Sequence, residues 1–192
     1  MCRPWKFVRQ GRQTATPPTD TLLSRLAGMT DAPSPASGRP AMSFPLPNPM
    51  RRALDLASVA AEAGEVPVGA VITLGDEIIA EARNSMRGNL DPTAHAEMVA
   101  IRHAATRLGQ PRLDECTLWV TLEPCAMCAS AIALSRIKAL RFGAEDPKGG
   151  GVVNGPRIFA QATCHHRPDV LGGIGEDEAA QQLRSFFEVR RA

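Results

Sequence analysis

The sequence predicts an α/β domain, a three-layer sandwich of one sheet of about five strands with helices on both faces. Two observations carry the prediction. Apolar residues change period along the chain, from helical spacing to strand-like runs and back, in the order α-β-β-α-β-α-β from Ser43 onward. Each change of period is punctuated by glycine or by an Asn-Pro, Asp-Pro or Glu-Pro step, so the elements are separate.

The first helix is expected to start at Asn48-Pro49, with Asn48 as cap and Pro49 at the first helical position. Met50, Ala53, Leu54, Ala57, Ala60 and Ala61 then form one stripe that Gly64 ends. Val68–Leu74 and Glu77–Arg83 flank Gly75-Asp76 and read as an antiparallel hairpin. Asp91-Pro92 offers a second helix start, carried by Ala94, Met98, Ile101, Ala105 and Leu108 to Gly109. Thr117–Leu122 reads as a strand, Pro124 opens a third helix reaching Ser135, and Ala139–Gly143 forms a further strand. Gly149-Gly150-Gly151 through Pro156 reads as loop, Asp169–Leu171 as a short last strand, and Glu176–Arg190 as a terminal amphipathic helix.

Residues 1–41 do not join this pattern. They hold six bases against two acids, and nine of the chain's 16 prolines fall before residue 50. The expectation is a disordered extension followed by a catalytic domain over 42–192. Its composition fits a start codon placed too far upstream, with Met42 as initiator, better than an organelle transit peptide. The chain as a whole carries a formal charge of only +2, and the part beyond the extension is slightly acidic. That excludes a protein whose entire surface holds a nucleic-acid backbone, but leaves room for a local patch built from Lys148, Arg157, Arg190 and Arg191. No run of about 18 apolar residues occurs, so no spanning helix is expected. Five cysteines, an odd number unevenly spaced, point to reduced thiols and a cytoplasmic setting.

Two fragments carry chemistry: His95-Ala96-Glu97 near the start of the second helix, and Pro124-Cys125-Ala126-Met127-Cys128 at the start of the third. Residues three apart share a helix face, and the positive end of the helix dipole favours thiolates at Cys125 and Cys128. Two thiolates and one imidazole neutralise Zn²⁺ and leave its fourth position open for water, the mark of a catalytic site. Zinc lowers the pKa of that water, and Glu97 is placed to carry its proton to a leaving group. One joint strains: on an ideal helix, residues two apart diverge by about 200°, so His95 and Glu97 must reach past the helix tip. The rival reading is a closed structural site or redox pair, with a fourth ligand from Cys116, Cys164, His165 or His166. His103, two turns along the helix, reads as a surface or core-edge residue.

His-x-Glu followed by Pro-Cys-x-x-Cys resembles the signature of the zinc-dependent cytidine/deoxycytidylate deaminase superfamily. Within it, nearly all of residues 50–191 resemble the bacterial tRNA-specific adenosine deaminases of the TadA type. That likeness is carried by Glu65–Val71, Asp91–Glu97, Thr121–Cys128, Gly143–Lys148, and Phe186-Phe187 ahead of Arg190-Arg191. The resemblance implies a cytidine-deaminase-like fold with a mixed sheet, a homodimer, and one zinc per subunit. It also implies hydrolytic conversion of adenosine to inosine at the wobble position of a tRNA anticodon stem-loop, with Glu97 as proton shuttle. His95, Cys125 and Cys128 match the zinc ligands. Asn84 matches a residue that hydrogen-bonds the base, Val66 one that packs on it, and Asp146 and Lys148 a loop near the target nucleotide. The backbone N–H groups of Ala96 and Cys125 are implied to lie near the metal's oxygen ligand. Where many relatives have a Gly-Ala-x-x-Ser-like run, this chain has Gly149–Asn154, and Glu188 stands at an often basic position. The competing functions are a zinc deaminase of free bases or nucleosides, guanine or cytosine in type, and a catalytically silent zinc module that binds RNA or a partner.

Overall fold

The structure, a computed structural model, describes residues 45–191. The expected extension and the Met42 start lie outside the described residues. The helices are α1 (Asn48–Glu62), α2 (Ala96–Leu108), α3 (Ala126–Leu134) and α4 (Glu176–Val189), and the strands β1 (Gly69–Leu74), β2 (Glu77–Arg83), β3 (Cys116–Leu122), β4 (Ala139–Ala144) and β5 (Asp169–Leu171). A short 3₁₀ turn at Ile158–Ala160, absent from the expected order, interrupts the loop before β5. The strands form one mixed sheet in the order β2-β1-β3-β4-β5, with β1 antiparallel to both neighbours and β3, β4 and β5 parallel. No helix among the described residues is long and apolar enough to cross a membrane.

Strand alternation splits the core into two layers. Ala70, Ile72, Leu118, Val120, Leu140 and Phe142 face α2 and α3, where Ala96, Ala100, Ala104, Ala129 and Ile132 close the layer. Val71 and Ala144 face α1 and α4, and pack with Met50, Ala53, Leu54 and Ala179. The alanine stripe of α1 lets that helix lie directly on β1: a Cβ at Gly69 would stand 2.0 Å from the Ala53 carbonyl oxygen, so the position admits only glycine.

Three helix starts differ from expectation: Pro124 does not open α3, which begins two residues later, at Ala126. Pro47, not Asn48, is the cap of α1; its carbonyl accepts from the N–H groups of Met50 and Arg51, and no side chain caps the helix. Asp91-Pro92 does not open α2, which begins four residues past Pro92, at Ala96. Asp91 instead closes a local turn, its Oδ1 accepting from the backbone N–H and the hydroxyl of Thr93. The stops hold as read, at left-handed Gly64 and Gly109.

The topology gathers one end of the sheet. The start of β1, the end of β2 and the ends of β3 and β4 all lie there, because Gly69 pairs with Arg83, Ala70 with Val120 and Leu122 with Ala144. The carboxyl ends of parallel strands are where open α/β sheets place ligands.

Candidate metal centre and base cavity

Two helix N-termini meet at this end. His95 is the cap residue of α2 and Cys125 that of α3, both with extended backbone at φ −66°. His95 is therefore not on the helix, and the 200° divergence from Glu97 does not arise. An extended cap residue points its side chain forward of the helix, while Glu97 in the first turn reaches the same cavity. Cys128, fully buried in the first turn of α3, completes the group.

The Nδ1 atom of His95 lies 3.5 Å from Cys128 Sγ and 3.7 Å from Cys125 Sγ, and all three ligand atoms lie within 4.8 Å of one another. Zinc bonds of ~2.3 Å to sulfur and ~2.0 Å to nitrogen at tetrahedral angles put an S···N edge at about 3.5 Å, so this donor set fits that ion. The electrostatics agree. Hydrogen bonding to Cys128 and His95 holds the Cys125 thiol down at about 4, despite partial burial. Cys128 is pushed up by its hydrogen bond with the Cys125 thiolate and by burial, since one anion already occupies the site. The His95 imidazole is raised, chiefly by its contact with Cys125. A divalent cation relieves the crowding of negative charge and lets both sulfurs ionise.

The fourth ligands offered by the rival reading are not in this group. Cys116 begins β3, at the far end of the strand from Cys125. Cys164 donates to the carbonyl of His166, and a His166 ring nitrogen pairs with the carbonyl of Ile137. Among the described residues the cluster has three members, which removes the closed-site reading. His103 is exposed on α2, as expected.

Beside the cluster opens a cavity of ≈ 280 Å³, lined by Val66, Val68, Asn84, Met86, His95, Glu97, Leu122, Glu123, Cys125, Asp146 and Gly149. Burial raises the Glu97 carboxyl above the ordinary carboxylate range. Asn84 is buried, and its Oδ1 accepts the Ala96 N–H at 2.9 Å, which fixes the amide's orientation. The Ala96 N–H, which the resemblance implies to lie near the metal's oxygen ligand, donates here to Asn84. The Asn84 Nδ2 hydrogens and the second lone pair of its Oδ1 take no part in that bond.

Asp146 lines the cavity, but its Oδ1 also accepts from the N–H groups of Lys148 and Gly149, so it organises its own turn. Lys148 is exposed and does not line the cavity; Arg157 and Arg191 are exposed as well. The Arg190 guanidinium stacks 3.6 Å over the Phe186 ring, and Phe187 meets that ring edge-on at 5.3 Å. Two buried carboxylates were not singled out by the sequence. Glu65 accepts from the N–H groups of Arg87 and Gly88, fixing the loop that carries Met86, and Glu123 ties down the loop after β4. The available signal was position: each acid interrupts an apolar stretch immediately beside a motif.

The fold and this site define a deaminase. Residues 47–179 match the family model of the MafB19-like deaminases. The chain is 52% identical over 142 residues to the tRNA-specific adenosine deaminase of Agrobacterium fabrum, covering 74% of this chain and 93% of that one. It is 43% identical to the enzyme of the same name from Bacillus subtilis, covering 74% and 88%. A solved structure from work on A-to-I editing by tRNA wobble-position deaminases is 52% identical, with a TM-score of 0.70 over 70% of this chain and 98% of that one. A guanine deaminase from Nitrosomonas europaea shares the fold at 22% identity and a TM-score of 0.59, covering 72% and 82%. The chain belongs to the tRNA-specific adenosine deaminase family.

Proposed function

We propose that this protein hydrolyses adenosine to inosine at the wobble position of a tRNA anticodon loop, consuming one water and releasing ammonia. The observation that carries the reading is the convergence of His95, Cys125, Cys128 and buried Glu97 on one base-sized cavity, in a chain so similar to enzymes of that name.

His95 Nδ1 and the sulfurs of Cys125 and Cys128 would hold the zinc, which supplies a water acidic enough to attack C6 of the adenine near neutral pH. Glu97 would take one proton from the attacking water and pass it to the ring nitrogen, then carry the second, from the hydroxyl added at C6, to the departing amine, so that both protons of the water are accounted for. Its raised pKa suits a group that must both accept and release a proton. Asn84 holds the base through Nδ2, locked in place by the Ala96 N–H on its oxygen. Val66 packs on the base, and Asp146 and Lys148 flank the nucleotide, with Lys148 free to meet phosphate. Adenine reaches this cavity only when it is turned out of the loop's stack. A cytoplasmic setting is part of the same proposal, supported by a tRNA substrate and by a site that needs reduced thiols.

The test is an anticodon stem-loop with adenine at the wobble position, set beside free adenosine, guanine and cytosine. Inosine is expected in the stem-loop, at a kcat/KM at least about 100-fold above that for any free base or nucleoside. Turnover of a free base with no reaction on the stem-loop would overturn the reading in favour of a free-base deaminase.

The same proposal includes a homodimer. α3 is apolar on all sides except Ser130, yet only Cys128, Ala129 and Ile132 are buried, and Leu134 stands 82% exposed. A helix apolar all round belongs inside a core, and a second copy laying the same face against it provides one. Sedimentation equilibrium is expected to give twice the chain mass, and Leu134→Glu to shift the equilibrium to monomer by about tenfold or more in Kd. A wild-type monomer at micromolar concentration would overturn the dimer.

A further inference from the structure

We infer that Glu123 is a positioning residue for this reaction: its carboxylate fastens the 146–154 loop to the metal-binding end of β3 and so sets the cavity wall. The inference rests on the function proposed above. Glu123 is 2% exposed and makes no ion pair among the described residues; backbone and amide N–H groups meet its charge instead. Its Oε1 accepts from three successive backbone N–H groups, those of Val152 (3.0 Å), Val153 (2.9 Å) and Asn154 (2.9 Å). Its Oε2 accepts from the Asp146 N–H (3.0 Å) and from Asn154 Nδ2 (2.7 Å). Successive N–H groups converging on one point form an anion nest, and here the chain's own side chain fills it.

The loop lies against this carboxylate with no space between. A Cβ on Gly150 would stand 2.5 Å from Glu123 Cδ, and one on Gly151 would stand 2.6 Å from the Ala126 nitrogen, at the first turn of α3. Gly150 also bridges to Cys125, and the Gly151 N–H donates to the Pro124 carbonyl. Glu123 therefore joins the element that holds Cys125 to the loop whose Asp146 and Gly149 line the cavity. The unusual Gly149–Asn154 run, and Asn154 in particular, reads as the counterpart of this brace and not as a lost contact. Any uncharged replacement leaves buried N–H groups unmet.

The full-length, zinc-loaded Glu123→Gln variant tests this. A glutamine keeps the volume, but its NH₂ turns towards donors on one side or the other. Amide hydrogen exchange at residues 152–154 is expected to quicken by about tenfold or more, because the protecting acceptor is weakened. KM for the stem-loop is expected to rise about tenfold while kcat falls less than about threefold, with zinc at one per chain, because misplacing the wall weakens positioning and leaves the chemistry intact. Asn154→Ala removes a single donor and should move KM the same way, by about threefold; it carries the test if Glu123→Gln does not fold. Unchanged exchange and unchanged KM overturn the brace, and so does a parallel loss of kcat and zinc, which marks mere support of the ligands. If the wild-type chain leaves the stem-loop untouched, the proposed function fails, while the exchange measurement still decides the brace.

Discussion

Replacing Glu97 by Gln is expected to lower ammonia release from the stem-loop by about 10³-fold while the protein keeps its fold and its metal. The side chain is 4% exposed, and its carboxyl is raised by burial, so it exchanges protons in a setting where water offers little substitute. Glutamine has nearly the same shape and leaves the cavity filled, which separates loss of a proton carrier from loss of packing. Because the proposed ligand group is His95, Cys125 and Cys128, zinc content by mass spectrometry should stay at one per chain. Wild-type turnover in Glu97→Gln would sink the mechanism. Loss of zinc together with activity would instead make Glu97 part of the metal centre.

Removing the metal should have an effect as large. Dialysis against a strong chelator is expected to abolish turnover by more than about 100-fold, and zinc should restore it. The melting temperature should fall as well. Ligand at a thousandfold excess over its Kd contributes about 4 kcal/mol, which for a domain of this size is on the order of 10 °C. Cys128→Ser should reproduce both effects without rescue by zinc, because a hydroxyl at this fully buried position does not ionise as a thiol does. Calorimetry with and without zinc checks the stability part; full activity in chelated protein would exclude the proposed role of the ion. A chelated protein with unchanged melting temperature would show that the site carries chemistry and no folding energy.

That His95, Glu97, Cys125 and Cys128 come together was legible in the sequence, because rare residue types stand there at fixed spacing, and spacing survives whatever the exact helix boundary is. The boundaries themselves were not. Asp91-Pro92 has the composition of a helix start, but Asp91 spends its side chain on Thr93, and the chain stays extended until His95 has pointed into the site. Local propensity is indifferent between these outcomes; the packing of Ala96 and Ala100 against the sheet decides. Likewise, nothing local reveals that the Ala96 N–H donates to Asn84, 12 residues earlier and one residue past the end of β2.

By itself, the sequence determined the order of helices and strands, and it set one imidazole, two thiols and a carboxylate at the spacing of a candidate metal site. Those depend on periodicity and on donor chemistry, which are properties of neighbours along the chain. Only the tertiary structure decided that two helix caps face each other, that Asn84 Oδ1 accepts the Ala96 N–H, and that Glu123 spans 23 to 31 residues to hold a loop. The physical reason is the same in each case. A buried polar group must find a partner, and which partner stands within 3 Å is settled by the pairing of strands distant in sequence.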